Sequence, residues 1–128
     1  MAPVKRLEYC INGEWRESKT QKYMPVTNSS SGEVIAEAPC CTKEEVLEAV
    51  EAAKAAFPAW SGTPVTQRAE LMFKFKQILD VHLDELSRIV STELGKNLDE
   101  ARGDVIKAIE VVQLACSCPV LMQGDSLM

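Results

Sequence analysis

The hydrophobic period of the chain changes once, near Thr42. Before that point short apolar runs alternate with polar residues and are cut by turn residues. After it, apolar residues recur every three or four positions. In "EYCINGEWRES" the Asn12-Gly13 pair sits between Ile11 and Glu14-Trp15, a pattern that predicts a tight hairpin. "QKYMPVTN" carries Tyr23, Met24 and Val26 around Pro25, which lacks an amide hydrogen and marks an edge strand. The polar stretch Asn28 to Gly32 reads as a turn. "EVIAEAPC" then reads as a strand with Val34, Ala36 and Ala38 on one face, Ile35 and Glu37 on the other, and Pro39 as its stop.

From Thr42 the pattern is helical. Thr42 and Glu45 have the spacing of a capping box, and Val46, Val50, Ala53 and Phe57 make an apolar stripe that Pro58 is expected to end. Pro64 suits the first turn of a new helix after Thr63. Leu71, Phe75, Ile78, Leu79 and Leu83 continue an apolar face, followed by Leu86, Ile89, Val90 and Leu94. So long a run predicts a break between Val81 and Glu85. Gly95 occupies the place of a helix-stopping glycine, and Asn97 with Glu100 starts the next helix. In that helix Ala101, Val105, Ala108, Val112 and Ala115 form one stripe. Asp104, Lys107, Val111 and Leu114 form a second, polar in its first half. Two apolar sides imply a helix sandwiched between neighbours, and Pro119 is expected to end it.

These elements predict an α+β chain: an N-terminal β-hairpin and short strands over residues 8–40, then three to four α-helices over residues 42–118. No alternating series of strands and helices follows to complete an open sheet, so the pattern is that of a fragment of an α/β enzyme. The length of 128 residues suits one domain. An apolar fraction of 46% with 26% charged residues is ordinary for a globular protein. A net charge of −5 and the lack of any basic cluster argue against a nucleic-acid or anionic-membrane surface. "MAPVKRLEYC" has no apolar run of a signal peptide and no later stretch has the length to span a bilayer, so the expected location is cytoplasmic.

Candidate chemistry is sparse. Cys10, Cys40, Cys41, Cys116 and Cys118 make an odd set without zinc-site spacing, and are expected to be reduced, buried thiols. His82, between Val81 and Leu83, reads as an ordinary helix histidine with no sequence-local partner to orient it. Gly95-Lys96 is not a phosphate loop, because no glycine stands where the motif's first one belongs and Asn97, not serine or threonine, follows the lysine. Asp99 and Glu100 suit the dipole at a helix start. Asp104 and Lys107 have the spacing of a surface ion pair.

The order of these pieces is more specific than any one of them. "INGEW", "VTNSSSGEVIAEAP", "TKEEVLEAVEAAKAAFPAWSGTPVTQRAELMFKF" and "ELGKNLDEARGDV" together resemble the N-terminal part of the aldehyde dehydrogenase superfamily. The matching features are the Asn28-Ser29 and Gly32-Glu33 turn, Ala56-Phe57 with Trp60, Arg68-Ala69-Glu70-Leu71, and Glu93-Leu94-Gly95-Lys96. The tail "ACSCPVLMQGDSL" is most similar to the methylmalonate-semialdehyde dehydrogenase branch, whose members acylate coenzyme A.

The resemblance implies a parent enzyme that attacks a small aldehyde with a cysteine, passes hydride to NAD and releases a thioester to coenzyme A. It also implies that the parent is a homo-oligomer. The family's nucleophile, general-base glutamate, oxyanion-hole asparagine and nucleotide loop have no counterparts here. By resemblance the chain stops before the nucleotide-binding sheet and catalytic domain, contains no catalytic residue, and is expected alone to bind no cofactor and to be inactive. The helix from Asn97 to Cys118 matches the one at the substrate entrance, where Asp104 and Lys107 are the carried-over substrate-binding positions. The branch has an arginine at the position of Lys107; lysine keeps the charge but loses the bidentate fork. A monovalent cation held by main-chain carbonyls in some members would map onto Val26 and Glu93. A reading from another class is a truncated or split product serving as a non-catalytic helical interaction module.

Overall fold

The computed structural model describes residues 4–125, which divide into two compact units, one ending at Gly62 and the other beginning at Thr63. The first unit holds strands β1 (Lys5–Arg6), β2 (Tyr9–Ile11), β3 (Glu14–Arg16), β4 (Tyr23–Thr27) and β5 (Val34–Pro39), then helix α1 (Lys43–Gly62). β2 and β3 form the expected hairpin, with Ile11 opposite Glu14. Asn12 and Gly13 both take positive φ, 55° and 77°, as a two-residue turn matched to strand twist requires.

A second sheet has the order β1-β5-β4. β5 runs antiparallel to β4 across the turn from Asn28 to Gly32 and parallel to β1, which the sequence does not suggest. Two charged residues carry no periodic signal, so β1 exists only through its partner. Arg6 of β1 is tied across the sheet: its Nε donates to Glu37 of β5 at 3.2 Å, and its guanidinium lies 4.6 Å from the centre of the Tyr23 ring on β4.

Glu45 joins α1 to the rest of this unit. The capping box forms, with the Thr42 amide donating to Glu45 at 2.7 Å and the Glu45 amide donating to Thr42 Oγ1 at 3.3 Å. The same carboxylate accepts from the Ser18 hydroxyl and the Lys19 amide, each at 2.8 Å. It is buried, and the Lys19 and Thr42 amides hold it below the ordinary carboxylate range. Against the alanine side of α1, formed by Ala49, Ala52, Ala53 and Ala56, lies the hairpin residue Ile11, itself buried.

Two expectations for α1 are corrected. Pro58 lies inside the helix, which continues to Gly62; losing one amide donor does not stop a ladder whose other bonds persist. The stripe of Val46, Val50, Ala53 and Phe57 is exposed, and the buried residue of α1 is Glu45 at its first turn.

The second unit is helical: α2 (Val65–Val81), α3 (Leu83–Leu94), α4 (Leu98–Cys116) and the single turn α5 (Cys118–Leu121). The predicted break falls at His82. Pro64 is the N-cap residue of α2 rather than part of its first turn. Each long helix contributes a small buried residue: Ala69 on α2, Ser87 on α3 and Ala101 on α4. Small side chains let helix backbones approach closely, so these positions define where the bundle is tightest. The buried line of α4 continues through Val105, Ile109 and Cys116, with Ile109 in place of the expected Ala108. The proposed second buried side is absent, since Val111 and Leu114 are 68% and 62% exposed. Only one face of α4 meets α2 and α3, and the four-residue step to Ile109 follows it. Ser117 separates α4 from α5, whose first turn takes Pro119.

Candidate functional site

The junction of α3 and α4 brings the charged candidates together. Gly95 closes α3 in the left-handed conformation, φ 75°, with its amide bonded to the Ser91 carbonyl. The Ser91 hydroxyl donates to the Lys96 carbonyl at 2.8 Å. Asn97 then caps α4 by accepting the Glu100 amide at 2.9 Å. Lys96 is therefore the single residue between a helix stop and a helix start, with its backbone held from both sides.

From there the Lys96 ammonium reaches Asp104 at 2.5 Å. The hydrogen bond and charge of Asp104 raise the Lys96 pKa above its ordinary value. Lys107 instead donates to Glu110 at 2.8 Å. The expected Asp104–Lys107 pair is thus not made: each has found another partner, although one turn separates them on the same face. A further pair, Arg102 with Asp84, joins α4 to α3. The sequence marks Lys96 only as part of the Gly95-Lys96 motif and not as the partner of Asp104, and it does not mark Arg102. The available signal was the lone residue between Gly95 and Asn97, whose side chain must leave alongside the new helix.

Beside the Lys96–Asp104 pair is a groove of about 320 Å³. Leu79 of α2, Leu86 and Val90 of α3, and Val105 and Ile109 of α4 line it, with Asp104 as its charged edge. An apolar channel with a charged rim suits a small ligand whose polar end stays near water.

The two positions expected to hold a monovalent cation fall in different units. Val26 is in β4 of the first unit, paired in register with Ala36, and Glu93 is in the last turn of α3 in the second unit. Among the described residues no group of three His, Cys, Asp or Glu side chains is arranged to hold a metal ion. His82 does have a local partner, contrary to expectation: its Nδ1 lies 2.8 Å from Glu85, which the helix start at Leu83 brings one turn away. The cysteines are free thiols, but only Cys116 is buried and Cys10 is exposed, since Cys10 is on a two-stranded hairpin with one covered face. Among the described residues no helix is long and apolar enough to cross a membrane.

Comparison with known proteins agrees with the order of motifs. The aldehyde dehydrogenase family profile matches residues 15–128. A malonate-semialdehyde dehydrogenase of Listeria monocytogenes is 47% identical over 99% of this chain, which spans 26% of that relative's length. Among solved structures, a methylmalonate-semialdehyde dehydrogenase from Oceanimonas doudoroffii aligns with a TM-score of 0.89 and 34% identity, covering 95% of this chain and 25% of the other. A Sinorhizobium meliloti protein assigned to the same activity and complexed with NAD aligns with a TM-score of 0.89 and 30% identity, covering 94% and 25%. The chain therefore spans about a quarter of the length of the proteins it matches, and it belongs to the aldehyde dehydrogenase family.

Proposed function

We propose that this chain is the N-terminal portion of an NAD-dependent, CoA-acylating aldehyde dehydrogenase acting on malonate or methylmalonate semialdehyde. The observation that carries this is the 47% identity to a malonate-semialdehyde dehydrogenase along 99% of the chain. The complex of the Sinorhizobium relative with NAD supports the choice of nucleotide. Coenzyme A as acyl acceptor rests on resemblance to the branch.

In this reading Lys107 meets the substrate carboxylate as a point charge at the tunnel entrance, and Asp104 flanks it. Lysine serves here with long-range attraction rather than the planar fork of arginine, so it selects for negative charge more than for orientation. Val26 and Glu93 would offer main-chain carbonyls to a monovalent cation. The nucleophile and the nucleotide site belong to other parts of the parent enzyme, which is a cytoplasmic homo-oligomer, and the 128-residue chain alone is inactive.

The test is to express the full reading frame that carries this chain and assay it with malonate semialdehyde and NAD, with and without coenzyme A. Formation of NADH and malonyl-type thioester is expected. Oxidation to the free acid with no effect of coenzyme A would remove the acylating assignment. Separately, calorimetric titration of the 128-residue chain with NAD should show no saturable binding; a saturating isotherm would contradict the placement of the cofactor site elsewhere. A second reading, a non-catalytic helical interaction module, is favoured by the exposure of Phe57, Ile78, Val111 and Leu114. A stop codon directly after Met128 would select it over the enzyme.

A further inference from the structure

Lys107 carries its charge between two carboxylates on one face of α4. Asp104 lies one turn before it and Glu110 one turn after it, and side chains at that spacing on a helix interact. Glu110 is already bonded to Lys107. Asp104 is not, because Lys96 holds its carboxylate at 2.5 Å. The origin of the Lys96 side chain is set by the Gly95 turn, the Ser91 bond to its own carbonyl, and the Asn97 cap. The reach to Asp104 is thus a property of the helix junction. With Lys96 present the charge of Asp104 is offset; without it the carboxylate of Asp104 is released beside Lys107, on a face to which Glu100, one turn before Asp104, already adds negative charge.

We propose that Lys96 determines selectivity for carboxylated aldehydes by neutralising Asp104, so that Lys107 presents its charge to the substrate. This rests on the proposed function, in which Lys107 meets the substrate carboxylate. Lys96 and Asp104 act on the substrate through Lys107, which makes them positioning residues. Asp104 is then the element that Lys96 must silence, and removing it should relieve the loss of Lys96.

The experiment is steady-state kinetics of the full-length enzyme on malonate semialdehyde and on propanal. Lys96→Met is expected to raise KM for the carboxylated aldehyde about two- to fivefold relative to KM for propanal, the size of partly screened surface charge effects. Lys96→Arg keeps the charge and should keep the ratio. Adding Asp104→Asn to Lys96→Met should bring the ratio back, a rescue that a purely structural role for the junction would not give. An unchanged ratio in Lys96→Met, or a double variant worse than the single one, would overturn the proposal. Lys107→Ala separates the two levels of the argument. If it leaves the ratio unchanged, the carboxylate contact itself is wrong; if it shifts the ratio while Lys96→Met does not, only the role of Lys96 fails.

Discussion

Glu45 holds more partners than a helix cap requires. Its bond to the Thr42 amide was legible from a spacing of three residues, but Ser18 and the Lys19 amide reach it from far earlier in the chain. Removing its charge by Glu45→Gln should lower the urea midpoint of the chain at neutral pH, because the amide groups that it accepts from lose their anionic partner. The pH dependence follows from the depressed pKa of Glu45. A carboxylate held lower in the folded state stabilises fully above its unfolded pKa, and that stabilisation is lost as pH falls through the folded value. Wild type and Glu45→Gln should therefore converge in acid. A constant gap down to about pH 3 would show that the charge is not what fastens the loop. Asp104 gives the same lesson from the other side. Its neighbour at the right spacing, Lys107, was an obvious partner, yet Lys96 holds it because the turn at Gly95 aims that side chain along α4.

The ends of α3 and α4 were well read, whereas Pro58 did not end α1. Gly95 and Asn97 occupy the roles that their residue types suggest. Asn97→Ala should cost about 1 kcal/mol of unfolding free energy through the lost cap, and Gly95→Ala a similar amount, about 1 kcal/mol, through a left-handed backbone that alanine resists. Urea titration of both variants checks this; no change in either would mean that the junction is not held by its caps. Buried faces were read less well. On α1 the predicted apolar stripe is exposed and the buried residue is Glu45, since a periodic pattern does not state whether anything will cover the face it marks. On α4 the buried line includes Ala101 at 0% exposure. Ala101→Leu should cost about 1–3 kcal/mol by overpacking against the neighbouring helices, measurable as a lower midpoint; a neutral effect would show that the bundle is looser there than its burial indicates.

Among the described residues, much apolar surface is exposed. Val81 is 81% exposed, Val111 68%, Phe57 65% and Leu114 62%. Exposed apolar groups on this scale mark surfaces that bind something. The purified 128-residue chain should enhance ANS fluorescence and sediment with a mass that rises with concentration. A monomer that leaves ANS dark would contradict this. Family membership was legible because short motifs in order survive without any knowledge of packing. Turns, caps and helix breaks were legible because they depend on residues within one turn of each other, where chemistry and spacing are both written in the chain. Tertiary structure alone decided that Lys5 and Arg6 form a strand, that the buried residue of α1 is Glu45, and that Asp104 belongs to Lys96. Each of these depends on which groups meet in space, and a periodic pattern specifies the faces of an element without specifying what opposes them.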